Sequence, residues 1–133
     1  MSLGGLLWQV TLAWQRAMRS ALEPHDLTHV QYVLLHAAWS MAGHPTQEQI
    51  AAQTGTDIAM TGQVLRRLAA RQLVTRELDP DDPKVRRIVL TPGGQVVLRD
   101  AMADVDSTES DFFAALGPDV AVFRRGLAML LDG

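Results

Sequence analysis

Apolar residues recur along the chain at two spacings, and the switch between them predicts the order of elements. In residues 6–22, LLWQVTLAWQRAMRSAL, the stripe Leu7, Val10, Trp14, Met18 and Ala21 has helical spacing, and Pro24 closes it. A second stripe, Val30, Val33, Leu34, Ala37 and Met41, predicts a helix capped by Thr28 and ending near Gly43. Thr46 and Gln49 then fit a capping box, in which each side chain satisfies the other's free backbone N–H. The helix they open is brief, Thr46 to Thr54, and Gly55 supplies the left-handed backbone of a tight turn. Thr56 or Asp57 caps the next helix, DIAMTGQVLRRLAARQ. Val64, Leu65 and Leu68 face inward there, with Thr61 one turn earlier on the same side. Its opposite face is expected to carry Ala59, Gly62, Gln63, Arg66 and Ala70. A glycine inside a helix costs about 1 kcal/mol relative to alanine. Gly62 therefore marks either a helix indifferent to propensity or a close approach to the backbone.

From residue 73 the period shortens to two. LVTREL (73–78) and RRIVLT (86–91) read as strands rich in β-branched residues, with Ile88 and Leu90 on one face of the second. A helix-turn-helix followed by a hairpin is a winged helix. Thr91 caps a further helix with Pro92 in its first turn. That helix is expected to reach about Leu116, with Val97, Ala101, Val105, Phe112 and Leu116 along one side. LGPD breaks it, and a last helix carries Val120, Phe123, Leu127, Leu130 and Leu131. The predicted fold is mainly α with a small β-hairpin: one domain with a winged helix-turn-helix core over 28–94, flanked by helical segments at 1–27 and 95–133.

Composition narrows the function classes. With 133 residues, 47% of them apolar, the chain can bury a real core. The absence of cysteine excludes disulfides, thiolate metal sites and thiol chemistry. No apolar run reaches membrane-spanning length, and the first residues lack a basic leader, so a mature cytoplasmic protein is expected. The net charge of −3 argues weakly against nucleic acid, but its distribution argues for it. Residues 66–87 carry +3, leaving −6 for the rest.

The cations sit where chemistry would need them. A helix in the major groove can present Gln63 to adenine and Arg66 to guanine or phosphate, and the small Ala59 and Gly62 would let it seat deeply. Arg67 lies beside them. The wing loop DPDDPKVRR (79–87) holds Lys84, Arg86 and Arg87, which would reach the flanking backbone or minor groove. Its acids cannot face phosphate. Asp82 is expected to shape the loop, by accepting turn N–H groups or by pairing with Lys84 or Arg86. The bland alternative makes each such cation part of a solvated face.

Other sites are weaker. His25 and His29 have metal-ligand spacing but nothing completes a zinc site, so no metal or other cofactor is expected. No nucleophile or phosphate-loop motif suggests an enzyme. Trp14, Tyr32, His36 and Trp39 could line an effector pocket, or could simply be core.

The run from Thr46 to Gly94 resembles the winged helix-turn-helix core of the MarR family of transcriptional regulators. Its most specific passage is DPDD…RRIVLTPGG, against the family's D-P-x-D-R-R wing followed by L-T-x-x-G. The flanking helices match in number and order. The resemblance implies a homodimer, made by the helices of 1–27 and 95–133, on a pseudo-palindromic operator in double-stranded DNA. It also implies frequent control by a small aromatic or phenolic effector. Trp8, Trp14, Phe112, Phe113 and Phe123 support the dimer independently, because a small winged-helix core hides only part of them. A larger monomeric core is the alternative for those residues. Thr46, at the start of the helix-turn-helix, joins the expected DNA-binding residues. Three departures stand out. Pro83 and Lys84 replace two wing-tip arginines, Gln72 replaces a glycine, and Gly62-Gln63 replaces a hydroxyl residue followed by Arg. The rival reading is a winged-helix protein-interaction module without DNA binding, in which the cations are dispensable.

Overall fold

The computed structural model describes residues 1–133 and contains six α-helices and a two-stranded sheet. Helix α1 spans Leu3–Leu22, longer at its start than the apolar stripe predicts, because the Ser2 hydroxyl caps it by accepting from the Gly5 N–H. Pro24 diverts the chain into a short 3-10 turn, Glu23–His25. Helix α2, His29–Ser40, opens on a full capping box of Thr28 and Gln31. Its buried residues are Tyr32, Leu34, Leu35, Ala37 and Ala38, so the predicted stripe through Val30 and Val33 is rotated; both valines are only half-buried. The helix has little separation of polar and apolar sides because it is covered on several of them, by α1 and by four elements that follow.

Helix α3, Gln47–Thr54, has the predicted Thr46–Gln49 box and ends on Gly55 at φ +71°. Helix α4, Ile58–Ala70, is capped by Asp57, which accepts from the Met60 N–H at 2.9 Å. Thr56 has another task. Its hydroxyl links those of Thr54 (2.8 Å) and Thr61 (2.6 Å), and Thr61 donates to the Asp57 carbonyl. This chain of hydroxyls crosses the turn between α3 and α4 and satisfies Thr61, which is fully buried.

Strands β1, Val74–Leu78, and β2, Arg86–Leu90, pair antiparallel with Val74 opposite Leu90 and Leu78 opposite Arg86. Between α4 and β1, Gln72 takes the left-handed conformation at φ +61°, where the family pattern has glycine. Helix α5, Pro92–Phe113, starts on Thr91 as predicted, but it stops before Leu116. A 3-10 segment, Ala114–Asp119, follows, and Gly117 at φ +54° turns the chain into α6, Val120–Asp132.

One cluster of buried residues runs through the molecule, from Met18 and Leu22 of α1 through α2, α3, α4 and the sheet to Leu98, Ala101 and Val105 of α5. The tightest point lies where α5 leaves the sheet. A Cβ built on Gly94 would overlap the Leu73 carbonyl oxygen, so only glycine lets the helix lie this close. By contrast, α6 has no buried residue.

Candidate nucleic-acid interface

The outward face of α4 is set by what its inward face must cover. Thr61, Val64, Leu65 and Leu68 are buried, which turns Ala59, Gln63, Arg66, Arg67 and Ala70 to the surface. None of the side chains of Gln63, Arg66 or Arg67 forms a hydrogen bond or ion pair within the protein; the four ion pairs use His25, Arg71, Arg87 and Arg99. The fold does not occupy them.

Gly62 departs from the expectation. It is buried on the flank that faces α3, and a Cβ there would come within 2.6 Å of the Gln47 amide nitrogen. The Gln47 carboxamide lies over it and donates to the Ile58 carbonyl at 3.4 Å. Something does approach this backbone closely, but it is α3, so Gly62 does not share the outward face with Ala59 and Gln63. Thr46 is half-buried at the start of α3, and its hydroxyl is engaged by the Gln49 N–H.

The hairpin sorts its cations into two kinds. Arg87, on the face of β2 opposite Ile88, is held back against the protein. Its Nε donates to Asp79 at 2.8 Å and its Nη1 to the His44 carbonyl at 2.9 Å, tying the hairpin to the loop between α2 and α3. The same strand donates the Ile88 N–H to the Pro45 carbonyl. The hydrogen bond from Arg87 holds the Asp79 carboxyl below the usual carboxylate range. Arg87, grouped with the wing cations from sequence, is thus the strut of the wing, because charge-assisted bonds of this length fix a guanidinium. Lys84 is exposed and its side chain unpaired, while Arg86 donates to the Pro83 carbonyl at 3.0 Å. Asp82 follows the first of its two predicted roles, accepting from the Lys84 backbone N–H at 2.9 Å.

Arg76 on β1 escaped the sequence reading as a site residue. Its Nε is buried and finds no acceptor. Burial first, then repulsion from Arg66 and Arg86, lowers its pKa from the ordinary arginine value. A legible signal existed: in the alternation Val74, Arg76, Leu78, a cation occupies an inward position.

Of the four residues of the expected effector pocket, Tyr32, His36 and Trp39 form one row of rings, with centroids 5.9 and 5.7 Å apart, while Trp14 stands apart from them. Trp14 lines a hollow of about 500 Å³ with Arg19, His29, Val33 and Thr54. Its ring meets His29 edge-on at 4.9 Å, and its indole N–H is buried without an acceptor. Tyr32 and His36 line an adjoining hollow of about 460 Å³ that shares Val33 and Thr54. Burial, then the charges of Asp106 and Glu109, push the Tyr32 phenol up to about 12. Trp39, half exposed at the end of that row, borders a groove against α5 with Val96 and Met102, and Asp106 lines both this groove and the hollow of Tyr32 and His36. His25, for its part, sits 2.6 Å from Asp104, and no group of three or more acidic or histidine side chains is placed to hold a metal ion.

Comparison with known proteins bears on this geometry. A family model for the MarR family matches residues 27–86. The chain is 38% identical over 115 residues to the uncharacterized HTH-type transcriptional regulator YdcH of Bacillus subtilis (strain 168), covering 84% of this chain and 78% of that protein. It is 35% identical over 131 residues to the transcriptional regulator HosA of Escherichia coli O111:H-, covering 96% of this chain and 90% of the other. The crystal structure of CouR from Rhodococcus jostii RHA1 bound to p-coumaroyl-CoA superposes with a TM-score of 0.84 at 30% identity, over 96% of this chain and 89% of that one.

Proposed function

The chain belongs to the MarR family of DNA-binding transcriptional regulators, and we propose that it acts as a cytoplasmic homodimer on a pseudo-palindromic operator. The observation that carries this reading is the outward face of α4. Gln63, Arg66 and Arg67 stand there unused by the fold, next to a braced hairpin whose Lys84 is free. In this reading α4 enters the major groove, Gln63 and Arg66 meet base edges or phosphates, and Lys84 and Arg86 reach the neighbouring backbone. Thr46 and Asp82 contribute by fixing α3 and the wing.

The dimer rests on apolar surface that one copy leaves open. Leu6, Leu7, Trp8 and Val10 of α1 and Val122, Leu127 and Leu130 of α6 are exposed, and Leu7, Val10, Phe123 and Leu127 border one hollow between the terminal helices. Segments 1–27 and 95–133 are therefore assigned to pairing, although their inner halves also belong to the core. A second copy covering this surface would set two α4 helices about one DNA turn apart, about 34 Å.

Control by a small aromatic effector is supported by the hollow beside Trp14, where the indole ring, Arg19 and the apolar side chains of Val30 and Val33 line one space. Ligand binding by CouR at 30% identity points the same way. Titration with hydroxybenzoate-type acids should quench Trp14 fluorescence and weaken DNA binding, and an unchanged signal would remove the effector from the account.

The test of DNA binding is its salt dependence. Duplexes recovered from a randomised pool should bind with a steep slope, which Arg67→Ala and Lys84→Ala each lower by about one unit if each meets a phosphate. A slope indifferent to both substitutions would point instead to a protein partner.

A further inference from the structure

We propose that Arg66, Arg76 and Arg86 form one clamp for a single backbone phosphate of duplex DNA, set in the notch between α4 and the hairpin. The inference rests on the DNA-binding reading and adds to it a residue, Arg76, and a stoichiometry, three guanidiniums to one phosphate.

The notch follows from strand register. Val74, Arg76 and Leu78 alternate onto the inner face of β1, and Arg86, Ile88 and Leu90 onto that of β2, with Arg76 opposite Ile88. Ile88 is fully buried, so the inner face leaves the core just beyond it and continues as a cationic surface facing α4. Arg86 is the diagonal neighbour of Arg76, roughly 7–8 Å away along such a ladder, within joint reach of one anion. Arg66 stands on the exposed face of α4, and α4 packs against β1, which carries Arg76. The charges of Arg66 and Arg86 both act on Arg76.

The fold leaves this cluster unbalanced. None of the three guanidiniums has a carboxylate partner, and the buried Nε of Arg76 has no acceptor at all. A buried donor without a partner is costly, and like charges in proximity add to that cost. One anion would relieve the repulsion, received by the Nη groups of Arg76, which are neither buried nor hydrogen-bonded, and phosphate matches guanidinium forks in geometry. The position selects which phosphate. A helix in the major groove and a wing at the adjacent minor groove are separated by one sugar–phosphate strand, and that strand must cross the notch.

The test is a scan of the selected duplex with neutral methylphosphonate at successive backbone positions, against wild type and Arg66→Gln, Arg76→Gln and Arg86→Gln. The clamp predicts one position where neutralisation weakens wild-type binding about tenfold and where all three variants lose nothing further. It also predicts that the triple variant lowers the salt slope by about one unit, where three separate phosphate contacts would lower it by about three. Three different coupled positions, a three-unit fall, or Arg76→Gln binding like wild type would overturn it. Should Arg76→Gln not fold, Arg66→Gln, which alters an exposed side chain, carries the same coupling test. Failure of wild type to bind any duplex would sink the DNA reading and the clamp together. Binding without a shared phosphate sinks the clamp alone.

Discussion

The central lobe and the terminal helices have equally regular apolar periods but opposite fates. In the lobe, Ile50, Leu65, Leu68 and Ile88 are wholly buried, and each finds its cover within the same chain. In α6 nothing is buried, and Leu130 and Leu131 are 74% and 88% exposed. Periodicity states that a face wants to be covered and does not state by what. The lobe is complete in one copy, whereas the outer parts of α1 and α6 offer a surface for another.

The difference can be broken at either end. The largest effect is expected at Gly94, where a methyl group would strike the Leu73 carbonyl and the backbone would have to move. Gly94→Ala should destabilise the lobe by about 3–5 kcal/mol in urea unfolding, beyond the ordinary range for a single substitution. A value under 1 kcal/mol would mean that α5 docks less closely than described. Leu127→Ala should leave the lobe intact and weaken self-association instead. Burying one leucine contributes about 1.5–3 kcal/mol and a two-fold interface contains it twice, so sedimentation should detect a dissociation constant at least about a hundredfold higher. Unchanged association would take Leu127 out of the interface.

A gain is expected at the end of α4. Gln72 holds a left-handed backbone that costs a side chain about 1–2 kcal/mol, partly offset by glycine's greater chain entropy. Gln72→Gly should therefore stabilise the lobe by about 0.5–1 kcal/mol in thermal unfolding. The smallest effect concerns pH. Burial lowers the pKa of His29, packed against Trp14, below its usual 6.5. The unfolded chain then binds the proton more readily. Stability is fully present above pH 6.5 and declines as pH falls from there through the folded-state value. His29→Asn should flatten the dependence of the urea midpoint between pH 7.5 and 5.5, and an equal slope in both proteins would assign it to other groups.

Much of the fold was legible in local signals. The Thr46–Gln49 box, Gly55, the two short strands and Thr91-Pro92 each act within a few residues, and each stands where the sequence predicts it. What escaped depends on residues far apart in the chain. The burial of Gly62 required knowing that Gln47 of α3 crosses it. The bracing role of Arg87 depends on the His44 carbonyl, 43 residues away, and on its pairing with Asp79. The buried stripe of α2 is not legible locally because a helix covered on several sides has no single polar face. Tyr32, His36 and Trp39 follow one another at helical spacing along α2, but Trp14 comes from α1 and packs on His29 instead, which nothing in its own helix announces. In the candidate site, residue types were readable, but the division between cations that brace the wing and cations left free was not.

In the proposed arrangement, exposed terminal helices pair two copies so that two α4 helices meet one face of a duplex. A hydroxyl-radical footprint on the selected duplex tests it most directly. Two protected segments related by a two-fold axis, centred about 34 Å apart or a whole multiple of that, are predicted. One protected segment, bound by one chain, would contradict it.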